Sequence, residues 1–512
     1  MLRKGIRFAL VVAFVLAVVF PVYSQTKSKI FIDRADLQKY SEALGIERLI
    51  GNVIFRQDET RYYCDTADID TKTNTLNAYG HVHIAFGDTL NVYADKMLYS
   101  SETKVAQLFS NVKLIDKNTV LTTDHLVYDR KTKIAYYASG GTIINQENTL
   151  VSLKGYYHTE SKIFYFRKDV MLLSPESQTY SDTLVYDTNN GVATFKGPTE
   201  IEGKESKIYC EEGYYDTRND YSRLTKRPSI FSSEQNISAD SISYDNKRFY
   251  GEAFGNVEIL DTLNKVIVRG EIGEMWDKKG VSYVTDSTRA ITYDDKDSMF
   301  IHSDTMWMYF DKDRKAKKMQ AYRNVRIFRK SMQGVCDSLT YDMQDSAIRL
   351  YIKPVLWSEK NQLTGDSIII KVSGSRVDSL MLYNTAFMVS QDSLGAYNQI
   401  KGKNMTGYFR KNELKTIKVD GNAQTIYFIR EEDGYLIGIN LAEASSMLIR
   451  LKNSEISAIV YLTQAQETMY PQNEIKPEQK KLKGFLWLEN QRPKNKMDIF
   501  RKTETASTEK SE

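Results

Sequence analysis

An aspartate followed four residues later by a tyrosine recurs along this 512-residue chain. It appears in ADKMLYS (94–100), TDHLVYD (123–129), SDTLVYD (181–187), ADSISYD (239–245) and CDSLTYD (336–342). A carboxylate and a phenol at close spacing could pass a proton, and two carboxylates at a defined separation could cleave a glycosidic bond. Either chemistry needs its residues once or twice, not at every step of a repeat. The Asp residues are spread evenly, and no unit gains a local Asp, Arg or His cluster. His81-Val82-His83 could offer a metal two ligands from one strand face. The other histidines (His125, His158 and His302) stand at no ligand spacing, and two imidazoles leave a catalytic zinc short of a ligand. G-x-S-x-G, P-loop and Gly-rich dinucleotide fingerprints are absent. The residues predict no enzyme, no metal and no cofactor.

The spacing itself is the stronger signal. Tyr99, Tyr128, Tyr157, Tyr186, Tyr215 and Tyr244 fall 29 residues apart each time. A second element runs in phase: Val53 (GNV), Val82 (GHV), Val112 (SNV), Thr142, Val170, Thr199, Ser229 and Val257 (GNV) follow at 28 to 30 residues. The period loosens after residue 257 but continues at Val325, Val355 and Ala423. A fixed period of this length marks a stacked repeat architecture. Within a unit, short alternating runs such as VKLI, HLVY and IAYY are parted by polar turns and rich in Tyr, Thr, Val and Ile, which predicts strands. Pro198, Pro228 and Pro354 fall in the same three-residue element, just before the valine slot, where a strand starts and tolerates a missing N–H. The expectation is an all-β chain of about 13–14 stacked repeats of roughly 29 residues. In SDTLVYD, simple alternation puts Asp182, Leu184 and Tyr186 on one face, with the Asp capping the turn that enters the strand.

Bulk properties narrow the class. Residues 1–24 carry a basic start, an apolar core and a small-residue end, which predicts a cleaved signal peptide and export; an uncleaved anchor is the competing reading. Taking Arg3, Lys4 and Arg7 away with that leader leaves 67 basic against 66 acidic side chains, so composition offers no case for nucleic acid. Cys64, Cys210 and Cys336 are read as packed residues rather than a disulfide framework. Domain boundaries are expected at 25–465 for the repeat array, 466–500 for a Pro- and Lys-rich cap or partner-binding segment, and 501–512 for a disordered tail. Asp-Ser/Thr-apolar triplets such as DTL (182–184) also fit an O-glycosylation acceptor, a reading compatible with a turn.

YGHVHI (79–84), FSNVKLI (109–115) and FGNVEIL (254–260), each followed by a version of ADxLxYD, resemble the OstA-like family over about residues 30–460. These are periplasmic lipopolysaccharide-transport proteins that bridge to the outer membrane. The resemblance implies an elongated twisted β-jellyroll whose two sheets enclose an apolar groove. Lipid A acyl chains would lie in it, and partners would be other transport proteins joined by edge-strand pairing, or a second copy of the chain. It also implies a periplasmic protein, associated with the inner face of the outer membrane. The expected groove lining is Val53, Val82, Val112, Leu126, Tyr128, Leu184, Tyr186, Ile242, Tyr244 and Val257. The rival is a ligand-free structural or adhesive β-solenoid with a filled core, acting through its surface or tail.

Overall fold

The computed structural model describes residues 30–501, apart from short stretches at 58, 88–89, 146–147, 176, 205, 234, 294–297, 374–375, 393, 411–412, 432 and 453–454. The expected signal peptide and the tail beyond Arg501 lie outside the described residues. The described chain is almost entirely antiparallel β-strand. It divides after Ser161 into two compact units, where the sequence suggested one array.

In the first unit each 29-residue repeat is a pair of long strands. Ile46–Gln57, Thr60–Asp70, Thr75–Phe86, Leu90–Ser100, Val105–Asp116 and Thr119–Asp129 pair in order, each antiparallel to the next. Every one of these ladders skips near its middle, for example between Tyr79 and Val82. The cause is local. Gly80 and His81, like Ser110 and Asn111, adopt positive φ, and two left-handed residues in succession turn the strand through a corner. Inward residues switch phase across that corner: Val92 and Ala94 are buried before it, Met97 and Tyr99 after it. Each strand therefore contributes one half to each of two sheets. Ile84, Val92 and Leu114 from one sheet and Leu108, Leu126 and Ala135 from the other line a single cleft, so the two inner faces meet as in a jellyroll.

The phase switch corrects the simple alternation. Leu184 is 2 % exposed and packed, whereas Asp182 points to solvent, because the ladder skips between Ser181 and Thr183. The recurrent Asp does not cap a turn either. It sits at the corner, and at several corners it accepts a hydrogen bond from the side chain 16 positions on, whereas Gly140 and Pro198 hold that position for Asp124 and Asp182. Asn52 Nδ2 donates to Asp36 (2.7 Å), Asn111 Nδ2 to Asp95 (2.7 Å) and Asn256 Nδ2 to Asp240 (2.9 Å), while Arg227 pairs with Glu211 in the same slot. The turns are capped by the second Asp of the motif: Asp129 and Asp216 accept N–H bonds from Lys131 and Arg218.

The second unit repeats this plan from Ile163–Leu173 onwards. At two proline corners the long strand breaks in two, Tyr221–Thr225 with Ser229–Ser232 around Pro228, and Ala347–Tyr351 with Val355–Ser358 around Pro354, since proline has no N–H for the ladder, whereas Val192–Gly203 runs unbroken with Pro198 in the skip of its ladders. A continuous core runs from Ala290 and Ile301 to Met447 and Ile449. The ladder continues to Gln466–Tyr470, which pairs with Leu436–Lys452. Residues 471–501 then form no strand; three short 3-10 turns lead them across the outside of one sheet.

Candidate functional site

The expected lining residues are placed inside, and most are fully packed. In the first unit Val53, Val82, Val112 and Leu126 are each 1 % exposed, and Tyr128 is half-buried beside Leu126 on the cleft. The three valines follow the corners and face Cys64, Ala94 and Thr123 of the neighbouring strands. In the second unit Ile242 and Val257 share a cluster with Ala239 and Ala253. Leu184 is buried, and Tyr186 and Tyr244 are half-buried. The cleft of the first unit is lined by Tyr62, Ile84, Phe86, Leu90 and Val92, with Arg130 as its charged member, and its cavity is only about 20 Å³. That is room for about one water molecule. The walls meet, and an acyl chain enters only if they part.

The residues with chemical potential do not converge. His81 sits at a corner with positive φ, its Nδ1 2.8 Å from Asp65, and that carboxylate raises the pKa of the exposed imidazole. His83 stacks between Tyr63 and Tyr93, with Nε2 2.9 Å from Asn91. Among the described residues no group of three metal-ligating side chains forms. Cys64, Cys210 and Cys336 are buried and unbridged, and burial pushes their thiols up to about 12, 11 and 12. Such thiols are inert at neutral pH.

The sequence reading missed how residues 471–501 are held. Gln362 is 1 % exposed; its Nε2 donates to the Leu486 carbonyl (2.8 Å), and its Oε1 accepts from the Leu488 N–H (2.7 Å). Gln399, equally buried, does the same with Lys480 O and Leu482 N, both at 2.8 Å. Gln333, one repeat length before Gln362, accepts from Arg492 Nε at 2.7 Å. Arg326 donates to the carbonyls of Gln491 (2.8 Å) and Asp498 (3.2 Å). Leu488 packs on Val335, Val355 and Trp357, and Phe485 and Trp487 pack on the Tyr397 ring. The segment is thus a strap across a sheet face. The recurrence of Gln at outward positions 333 and 362 was visible, but a polar residue there reads as ordinary solvent-facing alternation.

Fold and interior define an antiparallel β-jellyroll protein built from repeats around an apolar inner face. Residues 27–182 match the family described as OstA-like protein, and residues 293–375 match that described as LptA/(LptD N-terminal domain) LPS transport protein. No curated protein matches. Among solved structures, the chain is similar to LptH, the LptA homologous periplasmic component of the lipopolysaccharide transport device from Pseudomonas aeruginosa, at 18% identity over 20% of this chain and 77% of that one, with a TM-score of 0.19.

Proposed function

We propose that this chain is a periplasmic carrier that binds lipopolysaccharide by its acyl chains and passes it from the inner towards the outer membrane. The observation that carries the reading is an apolar inner face repeated on every strand pair, in a chain with two segments of lipopolysaccharide-transport families. Carrying an acyl chain through water costs about 0.8 kcal/mol per CH₂ left exposed, and a repeated apolar wall offsets that cost without a deep pocket. No bond is made or broken in such a role. Val53, Val82, Val112, Leu184, Ile242 and Val257 are the floor in this reading, with Leu126 at the cleft and Tyr128, Tyr186 and Tyr244 nearest solvent.

Edge pairing with related proteins, or with a second copy, is the proposed mode of association. Phe31–Arg34 and Leu37–Ser41 pair only with Ile46–Gln57 among the described residues, and Phe31, Ile32, Leu37 and Tyr40 are exposed. An apolar strand with a free edge accepts another strand.

The closed cleft favours a second reading, a filled solenoid without ligand. A photoactivatable phenylalanine analogue at Leu90 or Tyr128, with Thr194 on the outer face as control, separates the two. Transport predicts lipopolysaccharide adducts at the first two positions only, in protein labelled in its own periplasm. Absence of adducts at Leu90 and Tyr128, with native mass spectra free of lipid, would leave the filled solenoid.

A further inference from the structure

The second unit carries an open trough of about 510 Å³ on the outer face of the sheet that the strap leaves bare. Its floor is short: Gln320, Thr340 and Ser338, from the strands Ala316–Arg329 and Met332–Asp342. Its rims are tall. Tyr322 (40 % exposed) and Tyr351 (37 % exposed) stand on either side of Ser338, which is the register partner of both. Trp307 is the register partner of Gln320 on the next strand, with its ring 4.8 Å from Tyr283 and 6.4 Å from Trp276. A platform of rings therefore runs up to the trough.

The polar groups there are available. Among the described residues, Gln320 and Thr340 have no hydrogen-bond partner for their side chains. Lys318 has no carboxylate within ion-pair distance; the Tyr309 ring lies 5.9 Å away, and Asp342, its register partner, also lines the trough. Arg349 on the opposite rim is held by Asp345. The backbone is spent, because the strand Met332–Asp342 is laddered on both sides here. An added peptide strand thus finds no edge, and an acyl chain finds a hydroxyl and amide floor. What fits is a ligand with flat C–H faces for the rings, hydroxyls for Gln320 and Thr340, and an acidic group for Lys318.

We propose that this trough is a saccharide-binding site that takes the acidic sugar portion of the lipid cargo on the outside of the molecule; this rests on the transport reading. The test is calorimetry on the full mature chain with oligosaccharide released from lipopolysaccharide and stripped of its acyl chains. Binding is expected, weakened roughly tenfold or more by Thr340→Trp, which fills the floor from outside the core, and less by Lys318→Gln. Cross-linking of intact lipopolysaccharide at Leu90 should persist in Thr340→Trp. The proposal is overturned if the wild-type chain takes up no oligosaccharide, or if Thr340→Trp binds it as well as wild type. If oligosaccharide binds and Thr340→Trp abolishes it while no lipid cross-links at Leu90, the trough stands and the transport reading falls.

Discussion

The two sheets of the second unit share one core but differ on their outer faces. On the strap-covered sheet, successive residues are buried on both sides: Val355, Leu356 and Trp357 are all at most 3 % exposed, with Leu356 in the core and its neighbours under the strap. On the bare sheet alternation survives, with Ile368 and Ile370 buried and Ile369 half-exposed between them. A strand covered on one face reads as an alternation and one covered on both as an apolar run. The repeat therefore sets the inner wall of both sheets, while the outer residues decide what each sheet can meet. One face is committed to the chain's own C-terminal segment. The other leaves its polar and aromatic groups uncovered.

The comparison breaks most sharply if the strap is removed. Truncation before Pro471 uncovers Trp357, Val335 and Val355 and deletes the buried Ile475 and Ile499. It also strips Gln362, Gln399 and Arg326 of their partners. At about 1.5–3 kcal/mol per large apolar side chain and about 1–3 kcal/mol per stranded polar group, the loss is expected to exceed about 5 kcal/mol in the second unit. Hydrogen exchange should accelerate in 332–402 and stay unchanged in 46–129. Equal protection in both would mean that the strap rests on the sheet without stabilising it.

Gln362→Ala is the next step down. It removes two reciprocal bonds to the Leu486 and Leu488 main chain and leaves that carbonyl and N–H under cover. A loss of about 1–3 kcal/mol by denaturant melt is expected. Combined with Gln399→Ala the loss should depart from additivity, since both hold one segment. Thr340→Val on the bare face should stay within about 0.5 kcal/mol.

The strand content, the repeat and the inward valines were legible because they rest on period and alternation. Val53, Val82, Val112 and Val257 are indeed among the least exposed residues. The corner was not legible. Alternation assumes one ladder phase, and the paired left-handed residues at GN, GH and SN break it, so that Asp182 and Leu184 part company. The Asp–Asn step of 16 residues was present as a pattern, but without the corner the Asp had no partner to be assigned. The strap was hidden for another reason. A run with three prolines and several lysines has no period, and its attachment rests on glutamines that only a partner 80 to 130 residues away explains.

A corner substitution has a smaller effect than the strap's. Asn256 has φ of 48° and its side chain holds Asp240. Asn256→Ala loses that bond and places a Cβ-bearing residue without local support in the left-handed region, which is expected to cost about 1–2 kcal/mol. Asn256→Gly keeps the backbone and should cost less. If both melt alike, the Asp–Asn bond and not the backbone geometry fixes the corner.

The smallest difference separates two ion pairs. Beside the covered sheet, burial raises the Asp392 carboxyl, but Arg430 Nε at 2.7 Å and the N–H groups of Ala396 and Leu394 outweigh it and hold the carboxyl below its ordinary range. On the bare sheet, the Arg349 guanidinium lowers that of Asp345. A depressed carboxyl contributes stability that is present above its unfolded value, about 3.9, and lost as pH falls through its folded one. Both pairs should therefore soften the fold only below about pH 4. Salt tells them apart. The screening length shrinks from about 10 Å at 0.1 M to about 3 Å at 1 M, and the Asp345 carboxylate is 39% exposed against 13% for Asp392. Acid melts of Asp345→Asn and Asp392→Asn at the two ionic strengths should converge on wild type at high salt for Asp345 but not for Asp392. Equal salt sensitivity would place both pairs in the same solvent and remove the electrostatic part of the contrast between the faces.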